Sequence, residues 1–121
     1  METTALHSIS AVDGRYWSQT EKLSRYFSEY ALIKFRLHIE VEYFIALCEL
    51  PLPQLKSIDH TCFVALRNII TNFNDEDAAA VKAIEKITNH DVKAVEYFMR
   101  DKFDQLGIAP FKEFIHFGLT S

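Results

Sequence analysis

From Ser28 to Leu50 the chain runs without a glycine or a proline, and its apolar residues recur at helical spacing. That stretch limits the fold most. A backbone unbroken over such a length and patterned every three to four residues is a long helix. Ser28 supplies an N-cap oxygen, and Pro51 and Pro53 stop the helix. Leu32, Phe35, Ile39, Tyr43, Ala46 and Leu50 form one stripe, with Ile33, Leu37, Val41, Phe44 and Cys48 close beside it. An apolar arc this wide must be buried on more than one side, against its own domain or another subunit. Arg36 with Glu40, and His38 with Glu42, are spaced for i,i+4 pairs. His38 reads as a surface residue.

The remaining punctuation agrees. Three glycines and three prolines in 121 residues leave few, short connections, so the expected class is all-α. A short helix is expected from Glu21 to about Tyr26, and another from Asp59 or His60 to near Asn72. Asn74 ahead of Asp75, Glu76 and Asp77 is a helix-start signal with acids in the first turn. That helix runs to about Ile87 and packs through Ala80, Val81, Ile84 and Ile87. The next follows His90 and runs to about Leu106, with Gly107 at C′ and Pro110 beyond. Phe111 to His116 forms a last helical piece.

A formal charge of −4 with no basic stripe argues against general nucleic-acid binding. Cys48 and Cys62 lack metal-ligand spacing and read as buried thiols in a reducing compartment. Met1 to Ser10 has no apolar core of the signal-peptide kind, and no apolar run is long enough for a membrane span, so a cytoplasmic location is expected. Glu113 and His116 fit the Glu-x-x-His spacing of di-iron bundles, but no second copy exists. No phosphate loop, zinc motif or serine-hydrolase elbow occurs. No metal site is expected from these motifs.

Three polar clusters remain: Arg15-Tyr16 after the Asp13-Gly14 turn, Asn89-His90-Asp91, and Thr120-Ser121. In the second, Thr88 or Asn89 is placed to cap the following helix, Asp91 suits its positive end, and free backbone N–H groups there suit a phosphate or carboxylate. Glu96 is spaced to pair with Arg100. The plainer readings are a surface turn at Arg15-Tyr16 and an ordinary capped helix start at Asn89 to Asp91. Together the clusters offer a cation, a phenol, an imidazole, amides and hydroxyls, which match an anionic substrate. Thr-Ser is a good helix start with no helix after it, so the chain is expected to be a fragment.

Asp13-Gly14-Arg15-Tyr16, Phe27-Ser28-Glu29-Tyr30, the run from Thr88 to Phe98, Glu113-Phe114-Ile115-His116-Phe117 and Thr120-Ser121 together resemble the adenylosuccinate lyase family, bacterial branch, of the fumarase/aspartase superfamily. The likeness covers essentially the whole chain, and the Thr88–Phe98 block is its most specific part. The resemblance implies an all-α N-terminal helical domain that lacks the central long-helix bundle. With residues 1–19 read as an irregular segment, it implies a helical domain over 20–116 and the start of the central domain at 117–121. It also implies elimination of fumarate from adenylosuccinate, giving AMP, and from the succinylated aminoimidazole carboxamide ribotide. A homotetramer without cofactor is implied, each active site drawing on several subunits. Arg15, Tyr16, Asn89, His90, Asp91, Thr120 and Ser121 would bind substrate, and His90 would assist catalysis. The family's principal base, a serine on a mobile loop, and principal acid, a central-domain histidine, fall outside this sequence. Other lyases of the superfamily, or a non-catalytic helical interaction domain, are the competing readings.

Overall fold

The computed structural model describes residues 5–120. Every regular element among them is helical: α1 (Trp17–Thr20), α2 (Ser24–Phe27), α3 (Glu29–Glu49), α4 (Cys62–Thr71), α5 (Asp75–Thr88) and α6 (Asp91–Gln105). Short 3-10 turns lie at Ala5–His7, Glu21–Leu23, Pro53–Leu55 and Ala109–Phe114. Residues up to Leu32 form one compact unit and residues from Ile33 a second. No described helix is long and apolar enough to cross a membrane.

The first unit turns on Asp13 and Gly14. The Asp13 carboxylate accepts from the Ser10 backbone N–H at 2.8 Å, from the Ser10 hydroxyl at 3.2 Å and from the Ile9 N–H at 3.3 Å. A Cβ at position 14 would stand 2.7 Å from Ser8 Oγ and 3.0 Å from the Ala5 carbonyl, so only glycine fits. Thr20 Oγ1 donates to the Val12 carbonyl at 2.7 Å, and α1 is a turn that periodicity did not predict. The helix expected from Glu21 to Tyr26 is instead a 3-10 turn followed by α2. Such short pieces are too brief to gain the cooperativity of a longer helix. Ser28 does cap α3: its hydroxyl accepts from the Ala31 N–H at 3.1 Å.

In the second unit, α3 buries only the second of its two stripes. Ile33, Leu37, Val41, Phe44 and Cys48 are buried, whereas Phe35, Ile39 and Leu50 are exposed, Ile39 at 63%. The Phe44 ring meets Phe103 of α6 edge-on at 4.7 Å between centroids. Leu66 from α4, Val81 from α5, and Val95, Met99 and Phe103 from α6 complete the core. α4 starts at Cys62, later than expected, because Asp59 Oδ1 accepts from the Thr61 N–H at 2.9 Å and makes a turn there.

α5 begins in a capping box in which Asn74 and Asp77 each accept the other's backbone N–H. Val81 is buried and Ile84 half-buried, but Ile87 is 86% exposed and Ala80 is also exposed. At about 100° per residue, Ile87 lies about a third of a turn away from Val81, and Ala80 nearly as far. α6 ends as anticipated: Gly107 takes φ 76, its N–H bonds the Asp104 carbonyl at 3.3 Å, and the Ile108 N–H bonds the Phe103 carbonyl at 3.0 Å. That pair of bonds is a Schellman motif. The last helical piece is the 3-10 stretch Ala109–Phe114.

Candidate functional site

The α5–α6 junction holds the Asn89-His90-Asp91 cluster. Asn89 adopts the left-handed conformation, φ 53, and closes α5. His90 is therefore the first extended residue, φ −151 and ψ 118, and it caps α6 in place of Thr88 or Asn89. Its Nδ1 accepts from the Lys93 N–H at 3.2 Å. An imidazole Nδ1 stands where an asparagine Oδ1 would, so the cap geometry is ordinary. Thr88 braces the turn: its hydroxyl accepts from the His90 N–H at 3.2 Å and donates to the His90 carbonyl at 3.0 Å.

Two of the N–H groups expected to be free at this helix mouth are already taken. Asp91 Oδ1 accepts from the Val92 N–H at 2.8 Å, and His90 takes that of Lys93. An anion seeking those two groups would have to displace side chains already bonded. What the junction offers instead is His90 itself. Because Nδ1 accepts, the neutral ring carries its proton on Nε2, which is then a donor.

Asp91 is committed on both oxygens. Its Oδ2 pairs with the Arg36 guanidinium of α3 at 3.0 Å. The Val92 N–H, and after it the Arg36 charge, holds the Asp91 carboxyl below its ordinary value. Arg36 was expected to pair with Glu40 one turn along. It crosses to α6 instead, and no local signal in the sequence announces this. Glu42 likewise turns from His38 to a two-bond contact with Arg67 of α4, both bonds 3.0 Å. Glu96 and Arg100 also part: Arg100 meets Glu113 at 3.3 Å, while Glu96 lies 3.4 Å from Lys93 and 3.6 Å from His116.

A cavity of about 260 Å³ opens between α3, α6 and the segment after Phe114. Arg36, Glu40, Val92, His116 and Thr120 line it. Arg36, the partner of Asp91, thus shares a pocket with Thr120 and with Val92 of α6, while Asn89, His90 and Asp91 are not among the residues that line it. Ser121 lies outside the described residues. Arg15 and Tyr16 belong to the first unit, where both are exposed and the Arg15 guanidinium lies over the Tyr16 ring at 5.2 Å. Glu113 and His116 diverge to separate partners and make no joint ligand pair.

A larger groove of about 470 Å³ borders Cys48, Leu52, Leu55, Lys56 and His60. It contains none of the candidate residues, and its lining is mostly apolar. Burial pushes the Cys48 thiol up to about 11, so it is no nucleophile. Both cysteines are free, with Cys48 buried and Cys62 half-buried, where two buried thiols were expected.

No protein-family model matches the chain. Individual relatives do. The sequence is 52% identical to the adenylosuccinate lyase of Dictyostelium discoideum over 96% of this chain and 26% of that protein. It is 45% identical to the adenylosuccinate lyase of Buchnera aphidicola subsp. Schizaphis graminum, and 41% identical to that of Escherichia coli K12. Each of these alignments covers 100% of this chain and 27% of the relative. The chain spans about a quarter of the length of the curated relatives it matches. Along its whole length, this all-α chain matches a fragment of adenylosuccinate lyase.

Proposed function

We propose that this chain is part of an adenylosuccinate lyase and contributes substrate-binding groups to its active site. The whole enzyme removes fumarate from adenylosuccinate, leaving AMP, and from the succinylated aminoimidazole carboxamide ribotide. Such a β-elimination needs a base for the proton beside a carboxylate, an acid for the departing nitrogen, and fixed donors for the developing charge. This chain supplies donors and an auxiliary imidazole. Arg15 and Tyr16, Asn89, His90 and Asp91, and Thr120 and Ser121 are the assigned contacts. The principal acid and base come from polypeptide outside this sequence, with residues 117–121 leading into it. No metal or organic cofactor is invoked, and the location assigned is cytoplasmic.

The observation that carries this reading is the pocket that Arg36 and Thr120 line beside the His90-capped end of α6. At that end of α6 the bonded Nδ1 of His90 leaves its Nε2 to donate. Phe35 on α3 and Leu50 just past its end, both on the uncovered stripe, mark the surface we assign to packing within a homotetramer.

The test is fumarate release, followed by absorbance with purified adenylosuccinate. The full-length protein containing this segment is expected to turn over. The 121-residue chain alone is expected to release none. A full-length protein that leaves adenylosuccinate intact refutes the assignment, and activity in the isolated chain refutes the division of labour.

A further inference from the structure

His116 is held in a way that the proposed site does not by itself explain. Its Nδ1 lies 2.6 Å from Oε1 of Glu40 on α3, and its Nε2 lies 3.6 Å from Oε1 of Glu96 on α6. The Glu40 side chain is 6% exposed and that of His116 11%. Glu40 Oε2 and His116 Nε2 are both buried without a hydrogen-bond partner.

A pair buried with two unsatisfied atoms is a poor stabiliser; an apolar contact of the same shape would do as well or better. His116 also sits at φ 60, a left-handed backbone rare for residues with a side chain. The contacts around it bend one short segment. The Tyr43 hydroxyl of α3 donates to the Phe117 carbonyl, and the Leu119 N–H bonds the His116 carbonyl at 3.1 Å. The outcome of the bend is that Leu119 and Thr120 line the same cavity as Arg36.

We propose that His116, clamped by Glu40 with Glu96 alongside, is a positioning residue that sets Thr120 in the substrate pocket. This rests on the assignment of Thr120 as a substrate contact. His116 borders the pocket, but its ring nitrogens are turned to the two carboxylates, so its role is to act through Thr120.

The test is a double-mutant cycle in the full-length protein, reading KM and kcat for adenylosuccinate. Thr120→Ala removes one hydroxyl and is expected to raise KM about tenfold. His116→Leu is expected to raise KM to a similar degree while kcat moves less. In the double variant the KM should stay within about twofold of the larger single effect, because both changes disable one contact. Glu40→Gln keeps the shape and an acceptor but removes the charge. It should show a smaller KM increase in the same direction, and it carries the test if His116→Leu does not fold. If Thr120→Ala raises KM but His116→Leu and Glu40→Gln do not, or if their effects multiply with it, the positioning role is overturned and the site assignment stands. If Thr120→Ala leaves KM unchanged, the site assignment of Thr120 falls and takes the inference with it.

Discussion

His90 has two separable jobs, and replacing it should expose both. As the cap of α6 it makes one hydrogen bond, Nδ1 to the Lys93 N–H, at 3.2 Å with the side chain 40% exposed. Losing a cap costs about 0.5–2 kcal/mol, and partial exposure puts this one at the low end because water can replace the imidazole. The Thr88 brace uses only the His90 backbone, so it survives substitution. His90→Ala should therefore destabilise the 121-residue chain by about 0.5–1 kcal/mol, a change of roughly fivefold or less in the folded-to-unfolded ratio. A proton-transferring or donating group at the reacting end is worth about a hundredfold or more in rate. In the full-length enzyme, His90→Ala should accordingly cut kcat/KM by at least about a hundredfold with only a small fall in urea midpoint. His90→Asn separates the jobs: its Oδ1 can cap, so stability should return, but an amide cannot titrate and the rate should stay low. The measurements are urea unfolding by circular dichroism and fumarate release. If His90→Asn restores turnover along with stability, or if the His90→Ala rate loss is no larger than its stability loss explains, His90 is a cap and nothing more.

Two further perturbations test the packing. The Arg67 hydrogen bonds hold Glu42 below its ordinary carboxylate value. The stabilisation from this pair is thus complete above the ordinary carboxylate range and is lost as pH falls through the lower folded value. Both side chains are about half exposed, so water screens the pair and its contribution is small. The stability gap between wild type and Glu42→Gln, read from urea midpoints, should shrink between about pH 6 and pH 3; a gap unchanged with pH contradicts the assignment. Phe103→Ala removes a fully buried ring that meets Phe44, and should cost about 3–5 kcal/mol; a loss below about 1 kcal/mol in the same titration would mean the core is not packed as described.

What was legible in the sequence was whatever depends on neighbours along the chain. The helices from Ser28, Asn74 and His90, the capping box at Asn74 and Asp77, and the Gly107 terminus all follow from bonds spanning a few residues, so local pattern determines them. The resemblance rested on the same kind of run, Thr88 to Phe98, and the relatives agree with it.

Only the tertiary structure decided which groups the charges meet. Arg36, Glu42 and Arg100 were all spaced for helix-local pairs, yet each takes a partner on another element. Each of these pairs is at least partly exposed and contributes little by itself; burial of the apolar faces fixes how the helices sit, and the charges pair with whatever that packing brings beside them. The same holds for α3. Its two apolar stripes look equivalent in sequence, and only the packing of α4, α5 and α6 selects Ile33, Leu37, Val41 and Phe44 for the core of this chain while Phe35 and Ile39 remain on its surface. His116 meeting Glu40 across seventy-six positions is the furthest case. Nothing near it in the chain foretells that contact, because a folded surface, and not a repeat distance, brings the two together.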